Sequence, residues 1–350
     1  MKKILVTGGA GFIGSHTCLL LLERGYKVVV LDSLVNSSQK AIKQINKLYR
    51  KKDCTNNNTL HFYKGDLRDK QFLENIFHEG INSNEPIDGV IHFAGLKSVQ
   101  ESVLNPLEYW DSNVNSSLRL LETMDKFLCR NFVFSSSATV YGSWDKEFLD
   151  EKLPLLPSNP YGKTKQAVEN ILIDKFNSSK DWKIINMRYF NPIGAHRSGM
   201  IGEDPKGSPN NLFPILLKVA NKEIDYLRIF GDDWETEDGT CVRDYIHVSE
   251  LAEGHIKALE YLNNSAPKIL SFNVGTGLGT SVLDLVNIFE NTIKIKIPYK
   301  ITSRREGDIK RIVASNNKLK TILGWSPKIK INQMCIDGWR FKKNYPKGYI

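Results

Sequence analysis

The first 22 residues constrain the fold most. The run 2–7 meets Gly8-Gly9-Ala10-Gly11-Phe12-Ile13-Gly14 at once, and a helical apolar pattern continues through Leu22. Strand, glycine turn and helix in that order predict a dinucleotide-binding crossover. Glycines let the backbone approach a pyrophosphate, and the helix start offers unpaired N–H groups and the positive end of its dipole. Gly8, Gly11, Phe12, Ile13 and Gly14 are therefore candidate contacts. Val28–Leu31 reads as the second strand and ends in Asp32, where such folds carry a carboxylate for ribose hydroxyls. Its charge would repel the extra phosphate of NADP, so NAD is the expected cofactor.

The pattern repeats downstream. Leu60–Lys64 reads as a third strand and runs into Gly65-Asp66-Leu67. Asp66 either accepts from an adenine amino group or, with Asp69, caps the next helix. The loop 52–59 is polar and expected to be mobile. Gly89–Phe93 is a fourth strand, and Ala94-Gly95 at its end leave room for a cofactor. A long helical pattern covers 106–129, a fifth strand 131–134, a helix 161–177 and a sixth strand 184–187. This alternation predicts an α/β fold, a doubly wound parallel sheet with helices on both faces. After Arg188 the texture changes. Residues 191–243 are rich in Gly, Pro, Asn and Asp, with one helical pattern near 212–219. Strand and helix signals resume at 244–262, and 269–274 reads as a strand returning to the sheet. The expected division is a Rossmann domain over 1–190 with returns near 244–279. A smaller mixed α/β substrate lobe from 191–243 and 280–350 would lie over the strand ends.

Chemistry concentrates in Ser135-Ser136-Ser137-Ala138-Thr139-Val140-Tyr141-Gly142 and Pro160-Tyr161-Gly162-Lys163-Thr164-Lys165. Tyr161 and Lys165 stand four apart on a predicted helix and so share a face. An ammonium beside a phenol favours the phenolate over its ordinary pKa of ~10. A hydroxyl such as Ser137 can hold a substrate oxygen against it. That set is a general acid/base for an alcohol that becomes a carbonyl.

Composition excludes several alternatives. The 350 residues carry 48 Lys and Arg against 39 Asp and Glu, a net charge of +9. Much of the excess lies in 40–52, where Ile42, Ile45 and Leu48 recur at helical spacing. That predicts a solvated helix, and no nucleic-acid motif accompanies it. The five cysteines, Cys18, Cys54, Cys129, Cys241 and Cys335, lack pair spacing. No metal site or disulfide framework is expected, and a reducing, cytoplasmic setting is. Lys2-Lys3-Ile4-Leu5-Val6 superficially resembles a leader, but glycines interrupt it too soon. No run reaches membrane-spanning length.

The chain also resembles the UDP-galactose 4-epimerases of the extended short-chain dehydrogenase/reductase family, nearly end to end. The markers are Thr7–His16, Phe93–Lys97, Phe134–Gly142, Tyr161–Lys165 and Arg188-Tyr189-Phe190-Asn191-Pro192. Gly202–Pro205, Asn210–Leu212, Arg243–His247 and Arg304–Asp308 follow. The resemblance implies resident NAD in the first lobe and a UDP-hexose in the second. It extends the cofactor site to Ser33, Asn36, Ser37, Asp66, Leu67, Phe93, Ala94, Gly95, Lys97, Ser112, Asn113, Tyr161, Lys165, Tyr189 and Phe190. It assigns the substrate to Lys97, Ser137, Tyr161, Asn191, Asn210, Asn211, Leu212, Arg228, Phe230, Arg243, Arg305, Asp308 and Ile312. Ser33 and Ser112 replace an Asn of the bacterial members, Cys241 a Gly, and Ile312 the residue that gates the sugar pocket. Partial use of UDP-N-acetylhexosamines is expected from Ile312. A homodimer through the helices 106–129 and 161–177 is expected, with Leu118 and Leu121 as exposed apolar positions.

Two readings stand beside this one. A related sugar-nucleotide dehydratase or decarboxylase would need a further acid/base pair. The dehydratases are expected to carry Asp-Glu where this chain has Ala138-Thr139. A non-catalytic NAD- or UDP-sugar-binding regulator could dispense with Tyr161 and Lys165, yet both are present.

Overall fold

The computed structural model describes residues 2–50, 59–207, 211–305 and 307–349. Most of the loop expected at 52–59 lies outside the described residues, as do Cys54, Asn210 and Glu306.

The chain opens with β1 (Lys3–Thr7), α1 (Phe12–Glu23), β2 (Lys27–Asp32), α2 (Gln39–Arg50), β3 (Leu60–Lys64), α3 (Lys70–Asn82) and β4 (Ile87–His92). Next come α4 (Val99–Leu104), α5 (Pro106–Trp110), a π turn at Asp111–Asn115 and α6 (Ser116–Lys126). Then follow β5 (Asn131–Ser137), a 3₁₀ turn (Ala138–Tyr141), α7 (Pro160–Ser178) and β6 (Lys183–Tyr189). Among the described residues a seven-stranded sheet forms, in the order 268–274, β6, β5, β4, β1, β2, β3. All its pairings are parallel. β1 and β4 are neighbours although three strands apart in sequence number, so the strand order reverses between them. Ligands of open parallel sheets bind at that crevice.

β1 is buried along its whole length, as strands covered on both faces must be. One apolar layer joins Ile4, Val6, Leu21, Val28 and Leu259; the other joins Leu5, Val90, Leu120, Phe132 and Leu172. Three sequence expectations change here. The fifth strand runs on through Ser135–Ser137, which β6 pairs as far as Tyr189. The expected single helix over 106–129 is broken. Ser116 Oγ and Ser117 Oγ donate to the carbonyls of Ser112 and Asn113, while Asn113 turns its amide inward. A π turn is a common device for aiming a side chain at a functional region. Leu121, expected on the surface, is 5% exposed and packs in the core, whereas Leu118 is 38% exposed.

The remaining chain is β7 (Asn191–Ile193), α8 (Leu212–Ala220), β8 (Leu227–Phe230), β9 (Val242–His247), α9 (Val248–Asn263) and β10 (Lys268–Val274). β11 (Gly279–Ser281), α10 (Val282–Ile293), β12 (Tyr299–Thr302), β13 (Arg311–Ile312), α11 (Asn317–Leu323) and α12 (Ile331–Asn344) complete it. β9 pairs with β7, β11 and β13, and β8 pairs with β12. A separate apolar cluster around Phe213, Leu216, Phe289 and Met334 supports these strands.

Candidate active site

The glycine turn is shaped by close approach. Gly8 has φ +68°, and a Cβ there would stand 2.7 Å from the Ala94 nitrogen. A Cβ on Gly14 would stand 2.3 Å from the Gly8 carbonyl oxygen. No larger residue fits either position. Gly11 precedes α1 without a side-chain cap, so the first N–H groups of that helix have no side-chain partner there. Asp32 ends β2 beside this turn. Its carboxylate accepts from the Ala10 and Leu34 nitrogens, each at 2.9 Å, and from Ser37 Oγ at 2.8 Å.

One continuous cleft is lined by Gly8, Gly11, Phe12, Ile13, Gly14, Asp32, Ser33, Asn36, Ser37, Asp66, Leu67, Phe93, Ala94, Gly95, Lys97 and Ser112. Ser137, Tyr161, Lys165, Tyr189, Phe190, Asn191, Asn211, Arg243, Arg305, Asp308 and Ile312 line it too. Other expected residues lie elsewhere. Asn113 is 3% exposed and does not line the cleft. Instead it accepts from the Leu96 nitrogen at 2.7 Å and donates to the Leu96 carbonyl at 3.1 Å. It therefore holds the loop that carries Gly95 and Lys97. Arg228 is exposed on β8, and Leu212 packs against the apolar cluster around Phe213 and Phe289. Phe230 is absent from the lining but lies 5.3 Å from the Arg305 guanidinium.

Asp69, not Asp66, caps α3, accepting from the Phe72 nitrogen at 3.0 Å. Asp66 pairs instead with Arg68, whose hydrogen bonds hold that carboxyl below its usual range. Arg243 does not pair with Asp244. Its Nη1 donates to the carbonyls of Val242 and Ile309, at 2.9 and 2.7 Å. Arg305 pairs with Asp308 at 2.7 Å. Asn211 precedes α8 without a side-chain cap bond. His92 and His247 are strand residues, at the ends of β4 and β9. His92 lies between Thr7 and Ser117 and is pushed by burial down to about 3. His247 caps α9 through the Ser249 nitrogen.

Tyr161 and Lys165 are both buried at the start of α7. Asn159 caps that helix through the Gly162 nitrogen, and Pro160 occupies its first turn. The Tyr161 phenol faces the hydroxyls of Ser137 and Tyr189; Ser137 favours its phenolate and Tyr189 opposes it. Ser137 Oγ accepts from the Thr139 nitrogen and hydroxyl, at 3.3 and 3.0 Å. Its own proton is then available to an oxygen at Tyr161. The expected acidification of Tyr161 is not seen. Burial raises its pKa well above the ordinary value, with Tyr189 adding to the rise. Lys165 points away to the Ser135 carbonyl, 2.9 Å from Nζ, and burial lowers its own pKa to about 8.

Three residues that sequence reasoning did not assign also belong here. Glu203 and Tyr349 line the cleft. Glu203 pairs with Lys97 at 2.8 Å, and Tyr349 accepts from the Gly202 nitrogen. Glu203 stands in a stretch quoted for the resemblance, whereas nothing in the local pattern marks Tyr349. Thr139, beside Ser137, was visible in the serine stretch.

The family model for GDP-mannose 4,6 dehydratase matches residues 5–337. UDP-glucose 4-epimerase 2 of Arabidopsis thaliana is 49% identical over 349 residues, covering 99% of this chain and 97% of that protein. The UDP-glucose 4-epimerase of Bacillus subtilis is 47% identical over 346 residues, covering 99% and 98%. The crystal structure of the Stenotrophomonas maltophila UDP-glucose 4-epimerase, with bound NAD and formylated UDP-arabinopyranose, superposes with a TM-score of 0.93. It is 40% identical, and the match covers 99% of each chain.

Proposed function

This chain belongs to the UDP-glucose 4-epimerase family, and from that premise we propose that it interconverts UDP-galactose and UDP-glucose by transient, NAD-dependent oxidation at the sugar C4. One observation carries the reading. Tyr161, Lys165 and Ser137 share a single cleft with the glycine turn and with Arg243 and Arg305.

The residues present fit NAD. Gly8 and Gly14 leave space that a Cβ would fill, and the α1 N-terminus faces the same turn. Asp32 would take the ribose hydroxyls, and its charge disfavours a 2′-phosphate. When bound, NAD would supply the hydride acceptor and donor, with a positive charge beside the phenol.

The protein's own groups manage the proton and the sugar. Tyr161 takes the 4-hydroxyl proton as phenolate and returns it to the other epimer. Burial disfavours the phenolate, so its formation depends on facing positive charge, of which Lys165 is the resident part. Ser137 donates to the reacting oxygen. Arg243 and Arg305 suit the diphosphate, since guanidinium forks bind phosphate oxygens bidentately. Arg305 would exchange its Asp308 partner for the ligand. A firm hold on the diphosphate leaves the hexose free to present either face of C4.

Ala138-Thr139 form the 3₁₀ turn where a dehydratase would carry its acid/base pair, which weighs against that reading. A second substrate class is supported by Ile312, which lines the cleft: UDP-N-acetylhexosamines, used less well. A homodimer is supported by Leu104, Leu107, Leu118 and Ile173, all exposed on the helices around α5 and α7. The cysteines at 18, 129, 241 and 335 are free and buried, in keeping with the cytoplasm. No helix among the described residues is long and apolar enough to cross a membrane. Incubating the purified protein with UDP-galactose and separating the UDP-sugars tests the reading. UDP-glucose should accumulate to equilibrium; unchanged substrate would overturn it.

A further inference from the structure

Glu169 lies one helical turn beyond Lys165 on α7 and is 1% exposed. Both of its oxygens are engaged. Ser136 Oγ donates to it at 2.6 Å, Arg188 Nε at 3.0 and 3.2 Å, and Arg188 Nη2 at 2.6 Å. Arg188 Nη1 donates onward to the Tyr141 hydroxyl at 3.0 Å, and Tyr141 donates to Asn273 at 2.7 Å. The unit thus joins α7, β5, β6, the 3₁₀ turn and β10. A buried ion pair is seldom worth more to stability than well-packed apolar side chains of the same volume. Its position supplies a better reason.

The groups facing Lys165 come from several elements. On α7 they are Tyr161 and Glu169. On β5 they are the Phe134 ring, 4.9 Å from Nζ to its centroid, and the Ser135 carbonyl. On β4 it is His92, held neutral by burial with Lys165 adding to the effect. On β6 they are Arg188, whose guanidinium is spent on Glu169 and Tyr141, and Tyr189, which raises the pKa of the Tyr161 phenol. The Tyr109 phenol from α5 also adds slightly to the rise in the Tyr161 pKa. Among these groups Glu169 is the only carboxylate. Because Arg188 and Ser136 occupy it, it cannot draw the ammonium out of the cleft, and Lys165 keeps donors for a ligand. Lys165, Glu169 and Arg188 together carry one positive charge, which a Tyr161 phenolate would balance.

We propose that Glu169, locked by Arg188 and Ser136, is a positioning residue for the acid/base site. Its negative charge keeps Lys165 protonated in a dry setting, and its hydrogen bonds fix the end of β5 that carries Ser135 and Ser137. The proposal rests on the epimerase reading for its kinetic test only.

Glu169→Gln removes the charge while keeping an acceptor for Ser136. Activity that needs the ammonium should then fail at lower pH. The alkaline limb of kcat/KM for UDP-galactose should fall by about one pH unit or more. Glu169→Asp should restore most of the parent profile. Glu169→Gln leaves Arg188 unpaired, so the double variant Glu169→Gln/Arg188→Met removes both charges and keeps the question open to a folded protein. Its alkaline limb should also fall, by less. A second readout is independent of turnover. The carbon-13 resonance of the Lys165 ε-carbon, assigned by its loss in Lys165→Met, should titrate at lower pH in both variants. An unmoved lysine titration in folded protein overturns the proposal. A moved titration in the variants, beside a parent protein that does not epimerise UDP-galactose, overturns the epimerase reading and leaves the charge coupling standing.

Discussion

Lys165 donates to the Ser135 carbonyl at 2.9 Å, which parks its ammonium 5.9 Å from the Tyr161 ring centroid. The ammonium is therefore no hydrogen-bond partner of the phenol and can favour the phenolate only through space. Burial raises the Tyr161 pKa, so the acid limb of the rate profile reports how far positive charge brings it down. Lys165→Met removes that charge, and the acid limb and pH optimum should move upward. Tyr161→Phe should lose ~10²–10⁴ in kcat while UDP-sugar binding, followed by calorimetry, stays near the parent. Near-parent turnover by Tyr161→Phe would rule out the mechanism.

Asp32 spends its carboxylate on the Ala10 and Leu34 nitrogens and on Ser37. It thus shapes the turn beside which the ribose hydroxyls would lie. Protein denatured after purification should release NAD, detectable by chromatography. Asp32→Ala should weaken NAD more than NADP, because only NADP gains from losing the repulsion. Recovery of NADP from the parent would reverse the cofactor assignment.

The glycine turn and the first six strands were legible because their signals are local: a run, a turn and a period. What escaped the sequence is non-local. Asn113 sits in a polar stretch that reads as plain helix, and only its bonds to Leu96 reveal that it braces a loop. Leu118 and Leu121 stand three apart, yet the core reaches one and not the other. Arg228 alternates correctly within β8, but alternation does not say which face meets the cleft. The pairing of Glu169 with Arg188 spans 19 residues and joins a helix to a strand, so no spacing rule marks it. Tyr161 resists acidification because of burial, which is a property of the folded whole.

Asp244 offers a stability test away from the reacting atoms. It is 0% exposed and accepts from the nitrogens of Thr276, Gly277 and Ala314 and from the Thr276 hydroxyl. A Cβ on the neighbouring Gly275 would stand 2.4 Å from its oxygen, so the turn is built around the carboxylate. Asp244→Ala strands three backbone N–H groups at ~1–3 kcal/mol each. The urea midpoint should fall, by the equivalent of about 3 kcal/mol or more, at unchanged slope. Asp244→Asn keeps an acceptor of the same shape and should lose less.

Ile312 bears on substrate range. It lies in β13 opposite Arg243 of β9 and packs with Ala138, Val140 and Phe190. It is thus a strand residue and a cleft residue at once, beside a candidate diphosphate ligand and the turn after Ser137. The family resemblance places the hexose gate here, where a Tyr would close the space a 2-acetamido group needs. Ile is shorter than Tyr and has no hydroxyl, but its branched Cβ makes it stiffer and bulkier than Cys or Ser. A difference of one methylene in a pocket is worth only ~1–3 kcal/mol, so partial acceptance follows and not an absolute rule. The parent should convert UDP-N-acetylgalactosamine more slowly than UDP-galactose. Ile312→Tyr should lose the acetylated substrate selectively, by about 10-fold or more in kcat/KM, while UDP-galactose is little changed. An unchanged ratio would remove Ile312 from the sugar pocket, and no acetylated product from the parent would end the claim of wider range.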